Sequence, residues 1–327
     1  MATFHELFQA SLKSADTEEW VDAHFNHPVG LVFALFWNKL GIHPNVITIL
    51  SFFLGAAAGW MFSFTSWQHN VMGIMLLMLA NFCDSTDGQM ARLTGKKTLV
   101  GRVLDGISGD VWFVAIYVGL SLRLMNERIP GLDTTWGVWA WVLSVMAGAL
   151  GHSPQSSLGD YYRQIHLFFL KGKDGSELDN YAQQIAIYES TPRKKLFARI
   201  FYKGYAGYCK SQEKRTPEFQ RFFAKWNEVA ARHGAETMAP LRDEFLRGSR
   251  PLMKYTNLLT FNSRAFCIYA TCLLGCFTGD VLGPWIYLLF EFVVLNLFYV
   301  YMMRSHERLC ARMTARLQAL DLQETAK

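Results

Sequence analysis

Apolar and polar positions along the chain segregate into long blocks. Four stretches are almost free of charge: residues 46–64, 134–159, 265–279 and 281–303, the last interrupted only by Glu291. A bilayer core takes about 20 residues of helix, so these stretches predict transmembrane helices. Two further segments are apolar at one end and acidic at the other. Residues 71–83 run into Asp84, and residues 111–122 follow Asp105 and Asp110. Neither apolar part, at 13 and 12 residues, spans a bilayer alone. Extended forward to about residue 92 and back to about residue 102, each reaches full length. That extension puts carboxylates at membrane depth, where isolated charge is costly and a functional site is the default reading. The pattern predicts an all-α integral membrane protein with six transmembrane helices.

The remainder is polar. Residues 160–255 hold 18 Lys and Arg against 11 Asp and Glu, and their apolar runs have helical spacing broken by Gly and Pro. They predict a basic, helical cytosolic insertion between the fourth and fifth spans, either docking on anionic lipid or holding an anionic acceptor. Residues 1–43 lack a cleavable signal pattern, and within them residues 28–40 suit a helix lying in the membrane interface. The expected organisation is an N-terminal interfacial segment (1–43), spans one to four (44–159), the insertion (160–255), spans five and six (256–305) and a C-terminal cytosolic tail (306–327).

Composition agrees with a chain of two materials. Of 327 residues, 51% are apolar, 15% aromatic and only 18% charged, yet the mean hydropathy is just +0.11. Soluble domains carry about 25% charged residues, and disordered chains have more charge and fewer aromatics. Six cysteines and 25 glycines are too few for a disulfide scaffold or a collagen. The cysteines show no paired metal-site spacing and read as small buried residues. No Walker or dinucleotide fingerprint is present, and nucleic acid is not an expected partner. Lys and Arg placement sets the orientation. Arg92, Lys96, Lys97 and Arg102, the insertion, and Arg304, Arg308, Arg312 and Arg316 share one side if there are six spans, so both termini are expected in the cytoplasm.

The scarce acids carry the chemistry. Asp84 and Asp87 are three apart and share a helix face. Asp105 opens the next span on the same membrane side, after a connection short enough for the helix ends to meet. Three converging carboxylates need a cation, and an all-oxygen donor set points to Mg²⁺, Mn²⁺ or Ca²⁺. Gly88 and Ala91 are small at i, i+3, and Gly101 and Gly106 are small nearby; such residues permit close helix packing or leave room for a flat ligand.

Asp84, Asp87, Gly88, Ala91, Arg92, Gly101 and Asp105 stand in register with Asp-x2-Asp-Gly-x2-Ala-Arg-x8-Gly-x3-Asp, which resembles the signature of the CDP-alcohol phosphotransferase family of membrane enzymes. Pro44-Asn45-Val46-Ile47-Thr48 looks like the Pro-Asn-x2-Thr that opens this family's first span. The resemblance covers residues 44–163 and, more loosely, the last two spans; the insertion lies outside the usual core. It implies transfer of a phosphatidyl or phosphoalcohol group from a CDP-linked donor to an alcohol, with release of CMP. It further implies six helices, a homodimer and two Mg²⁺ or Mn²⁺ ions held by Asp84, Asp87 and Asp105. By the same resemblance Gly88 and Ala91 make space for the cytidine, and Asn45, Thr48 and Arg92 shape the nucleotide pocket.

One position departs. The family pattern ends Asp-x3-Asp, its last Asp being the base for the acceptor hydroxyl; here that position is Gly109, and the next acid is Asp110. On a regular helix Asp110 points roughly 100° away from residue 109. A π-bulge or local turn at Gly109 is expected to return it to the cavity as the catalytic base; the rival is that Asp110 faces elsewhere.

Tyr161-x-Arg163 looks like the Tyr-x-Arg of the family's phosphatidylglycerophosphate and phosphatidylinositol-phosphate synthases. Arg163 and Arg264 are therefore candidates for an acceptor or lipid phosphate, against a role as interfacial anchors. His152 and Glu291 read as polar packing groups. The favoured reaction pairs CDP-diacylglycerol with an inositol-like polyol or its phosphate. A CDP-aminoalcohol with diacylglycerol or a ceramide is the alternative, and a non-catalytic lipid or nucleotide transporter is the rival from another class.

Overall fold

The computed structural model describes residues 3–11, 14, 16–95 and 99–325. Among them it is helical, with a single isolated β-bridge, Arg128 to Thr135, and no strand. The α-helices in chain order are α1 (Phe4–Ser11), α2 (His27–Lys39), α3 (Pro44–Met61), α4 (Trp67–Thr94), α5 (Leu99–Leu124), α6 (Val138–Val145) and α7 (Ser153–Lys171). They continue with α8 (Tyr181–Ser190), α9 (Leu196–Arg215), α10 (Pro217–Ser249), α11 (Met253–Leu258), α12 (Phe261–Thr278), α13 (Pro284–Leu289) and α14 (Leu295–Thr325). π-Helical turns occur at Asp22–Asn26, Met146–His152 and Phe290–Val294. The chain divides into two compact units, Met1–Ser153 with Phe261–Leu295, and Pro154–Thr260 with Asn296–Lys327.

In the first unit, α3, α4 and α5 form the centre, and local sequence explains their ends. Pro44 sits in the first turn of α3, where its missing N–H costs nothing. The preceding His43 accepts the Asn45 N–H through Nδ1 at 3.2 Å. Helix α4 stops at Gly95, whose φ of 67° is the left-handed conformation that favours glycine. Helices α3 and α5 pack backbone to backbone: a Cβ on Gly119 would lie 2.0 Å from the Gly59 carbonyl oxygen, and one on Gly55 2.0 Å from the Trp112 ring. Small residues are how helices approach this closely in lipid. Leu77, Trp112, Ile116, Leu120, Ile268 and Leu288 fill the core around them.

The second unit has an aromatic core, with Phe169 against Phe245 at 4.3 Å and Tyr162 stacked on His306 at 4.1 Å between ring centroids. Helix α14 runs unbroken to Thr325, so residues 306–325 continue the helix that begins at Leu295. The Glu307 carboxylate on α14 accepts the N–H groups of Glu218 at 2.8 Å and Phe219 at 3.4 Å, satisfying donors that the start of α10 leaves open. Asp321 receives Lys225, Arg232 and His233. Within α10, Gly234 at φ 79° divides two helical rods.

Four segments of the described chain are long and apolar enough to cross a membrane: Pro44–Met61, Leu104–Leu124, Glu236–Thr278 and Pro284–Leu322. Helix α4 is about 42 Å long and exceeds a bilayer core in length; its polar, acid-bearing last turns keep it out of that set. The expected fourth span is helical from Val138 onward but passes through the π-turn at Met146–His152. Of the charges used for orientation, Lys96 and Lys97 lie outside the described residues.

Candidate active site

The acids gather where α4 and α5 meet. One carboxylate oxygen from each of Asp84, Asp87 and Asp105 lies within 4.8 Å of the others. Asp87 is buried, at 4% exposure, and Asp105 is exposed. Three carboxylates this close repel one another strongly in a medium poorer than water at screening charge. Neighbouring hydroxyls relieve part of that. Thr48 on α3 donates Oγ1–H to Asp87. Ser108 Oγ lies 2.6 Å from Asp84 Oδ1 and 2.7 Å from the Asp105 carbonyl oxygen, its one proton serving one acceptor at a time. The donor set is all oxygen, fitting Mg²⁺ or Mn²⁺.

Open space adjoins the cluster. Among the described residues a Cβ built on Gly106 or Gly109 meets nothing within 4 Å, and the atoms nearest to one on Gly88 are those of the Arg92 guanidinium, at 3.3 Å. Arg92 therefore lies over Gly88. Its Nε donates to the Ser11 carbonyl at 2.7 Å, so this residue, expected in the nucleotide pocket, also ties down the end of α1. Asn45 is at the start of α3, three residues before Thr48, and Ala91 is half-buried near the end of α4.

At two expected site positions the local geometry differs from the sequence expectation. Helix α5 is regular from Leu99 to Leu124, with no π-bulge or turn at Gly109. Five residues then turn Asp110 about 140° around the axis from Asp105, and Asp110 is exposed and outside the carboxylate cluster. Arg264, offered to a phosphate, is buried at 1% exposure and engaged by Glu291, with Nε 2.9 Å from Oε2 and Nη2 3.1 Å from Oε1. A charge on an apolar helix gains most from a fixed counter-charge, and Glu291 supplies it. Tyr287 donates to Glu291 at 3.4 Å, the Tyr117 and Tyr287 hydroxyls are 3.2 Å apart, and the buried His152 ring packs on Phe113 at 4.2 Å.

In the second unit, Arg163 donates to Asn257 Oδ1 at 2.9 Å, and its buried Nε has no hydrogen-bond partner among the described residues. Tyr161 is a packing residue: its hydroxyl accepts from Gln220 at 3.0 Å, and burial pushes the phenol up.

Sequence reading missed the clamp on the acid-bearing helix. His27, at the start of α2, places Nδ1 3.0 Å from Ser85 Oγ and Nε2 2.7 Å from Glu18 Oε2. Gln89 donates to the His27 carbonyl at 2.9 Å. Gly30 allows the approach, since a Cβ there would lie 2.8 Å from Ser85 Oγ. Ser85 sits inside the motif, and its side chain is used toward α2 while Asp84 and Asp87 face Asp105. The only local signal was a lone His before Pro28, too common to single out.

Residues 41–152 match the CDP-alcohol phosphatidyltransferase family. This stretch contains every member of the carboxylate cluster and lies wholly inside the first unit. Residues 41–152 are a CDP-alcohol phosphatidyltransferase domain. A stretch of 84 residues is 32% identical to the archaetidylinositol phosphate synthase of Pyrococcus horikoshii, covering 26% of this chain and 43% of that protein. The chain thus spans less than half the length of the curated relative it matches. No solved structure matches. The transferase domain and the apolar helices together make this an integral membrane protein.

Proposed function

We propose that the protein transfers a phosphatidyl group from CDP-diacylglycerol to the hydroxyl of an inositol-like polyol or its phosphate, releasing CMP. The observation that carries this reading is the carboxylate cluster of Asp84, Asp87 and Asp105 inside the transferase domain, with open space beside Gly106 and Gly109. The relative's name, a synthase of an inositol phosphate lipid, supports a polyol phosphate as acceptor.

Asp84, Asp87 and Asp105 would hold the divalent ions, two being what the reading requires. Bound there, the metal would neutralise the pyrophosphate and the leaving CMP. Thr48 and Ser108 hold Asp87 and Asp84 in position, and Gly88 and Ala91 keep room for the flat cytosine, with Asn45 and Arg92 at its edge. The acceptor oxygen attacks the phosphorus attached to the lipid, the bond to CMP breaks, and the hydroxyl proton passes to a carboxylate. Asp105, exposed within the cluster, can offer one carboxylate oxygen to the metal and the other to the proton; Asp110 is favoured only as the next acid after Gly109, where the motif has its last Asp. Arg163, whose Nε has no partner among the described residues, is the proposed ligand for a lipid or acceptor phosphate. In the membrane we propose six spans, both termini cytoplasmic, with the chain acting as a homodimer.

The test is CMP release by purified protein in nanodiscs with Mg²⁺ or Mn²⁺, across a matrix of donors and acceptors. Release with CDP-diacylglycerol plus inositol phosphate or inositol supports the reading. Release only with a CDP-aminoalcohol and diacylglycerol or a ceramide reverses donor and acceptor. No release from any pair favours a transporter.

A further inference from the structure

The turn between α8 and α9 carries a surface that the transfer reaction does not use. Leu196, Phe197 and Ile200, in the first turns of α9, are 61%, 89% and 61% exposed. Immediately before them stand Arg193, Lys194 and Lys195, all exposed. Three large apolar side chains beside three cations on one helix start is not a solvated charged face, which would be polar throughout.

The turn is also held in shape. Arg199, one turn into α9, donates Nη1–H to the Tyr188 carbonyl at 3.1 Å and to the Thr191 carbonyl at 2.6 Å, and its guanidinium lies 4.3 Å from the centre of the Tyr188 ring. These contacts satisfy carbonyls that the end of α8 leaves open. Arg199 is thereby withdrawn from the exposed set, and the tip projects as a fixed unit. Presenting Phe197 to water in a fixed turn is unfavourable unless something apolar receives it.

We propose that the α8–α9 tip inserts Leu196, Phe197 and Ile200 into the interface of an anionic lipid bilayer, with Arg193, Lys194 and Lys195 at the phosphate level. Charge selects this occupant. A two-fold contact with a second copy would bring the same cations together, whereas apolar side chains flanked by Lys and Arg match the depth profile of an anionic leaflet. Such a contact anchors the insertion at a point remote in sequence from the transferase domain and makes its seating depend on lipid charge.

The test uses the full chain in nanodiscs, with Phe197→p-benzoylphenylalanine as a photo-crosslinking probe and mass analysis of the product. A lipid adduct is expected in discs containing phosphatidylglycerol, falling at least about fivefold in pure phosphatidylcholine discs or in high salt. The triple variant Arg193→Gln, Lys194→Gln, Lys195→Gln lowers the adduct in anionic discs by a similar factor while the circular-dichroism spectrum is unchanged. A chain-to-chain crosslink, absence of a lipid adduct, or an adduct indifferent to both lipid charge and the triple variant overturns the proposal. CMP release is recorded in the same discs, so failure of the lipid contact is separable from failure of the transfer reaction.

Discussion

Arg264 and Glu291 face each other in the interior of the first unit, joined by hydrogen bonds of 2.9 and 3.1 Å and almost without exposure. Arg264 comes from α12, and Glu291 from the π-turn that follows α13. The extra residue of a π-turn is a recurrent device for re-aiming a side chain. Here it occurs where an acid must meet a buried cation. Removing one partner leaves the other charged and buried, which costs about 3–5 kcal/mol, whereas replacing both with apolar groups is often close to neutral. Arg264→Met and Glu291→Leu singly are expected to lower the thermal unfolding midpoint in detergent strongly, and the double variant to recover most of the loss. Additive losses in the double variant would mean that the pair is not coupled.

Carboxylates of the cluster and the hydroxyls that hold them differ in predicted severity. Asp84→Asn, Asp87→Asn and Asp105→Asn each remove a negative charge and one oxygen donor from the proposed metal site and are expected to abolish metal-dependent CMP release. Thr48→Val and Ser108→Ala leave the donors in place but unsupported, and such losses typically cost 10–100-fold, about one to two decades, in metal affinity or activity. The readout is the Mn²⁺ concentration for half-maximal turnover, expected to rise in both hydroxyl variants.

Asp110 separates the motif from the geometry. On the regular α5 it points away from Asp105, so Asp110→Asn is expected to retain turnover within about tenfold, less than a lost general base typically removes. A loss as deep as that of Asp105→Asn, at saturating metal, would return the base assignment to Asp110.

The His27 clamp couples the N-terminal segment to the motif helix. His27→Ala or Glu18→Ala removes hydrogen bonds worth on the order of 1 kcal/mol. Limited proteolysis is expected to cut the N-terminal segment several times faster in either variant, with the α3–α5 core left intact. Unchanged cleavage rates would deny the clamp a holding role.

Glycines of the first unit divide by what they face. Gly119→Ala drives a methyl into the Gly59 carbonyl, and a forced methyl in packed surroundings costs about 1–3 kcal/mol. Gly109→Ala meets nothing within 4 Å among the described residues and removes a weak helix former, so stability is expected to hold or rise by up to about 1 kcal/mol. Unfolding midpoints of the two variants in one detergent check the contrast.

Much of this was legible in the chain itself because lipid and metal sites both impose sparse rules. Long apolar runs announced α3, α12 and the last helix, α5 was read by extending a 12-residue apolar run back through its acids, and acids three apart at the end of an apolar run announced that Asp84 and Asp87 share a face. Spacing alone did not reveal which cation a buried acid would take. Arg264 reads the same whether it meets a phosphate or Glu291, since the partner is 27 residues away in sequence. Nor did periodicity place the π-turns: one was expected at Gly109, and those present lie at residues 22–26, 146–152 and 290–294. A π-turn depends on what the helix packs against, which a local pattern does not contain. The Ser85 side chain was similarly illegible, because its partner His27 belongs to a segment whose only visible feature was amphipathicity.

Three carboxylates on α4 and α5 are proposed to form a divalent-metal site for a CDP-linked donor. CMP released per chain from CDP-diacylglycerol, with an inositol phosphate acceptor and across a Mn²⁺ titration, tests it most directly, with wild type and Asp87→Asn measured in the same nanodiscs. Saturable, metal-dependent release is expected from the wild type and none above background from the variant. Release that is independent of metal, or that survives Asp87→Asn at every Mn²⁺ concentration, would contradict it.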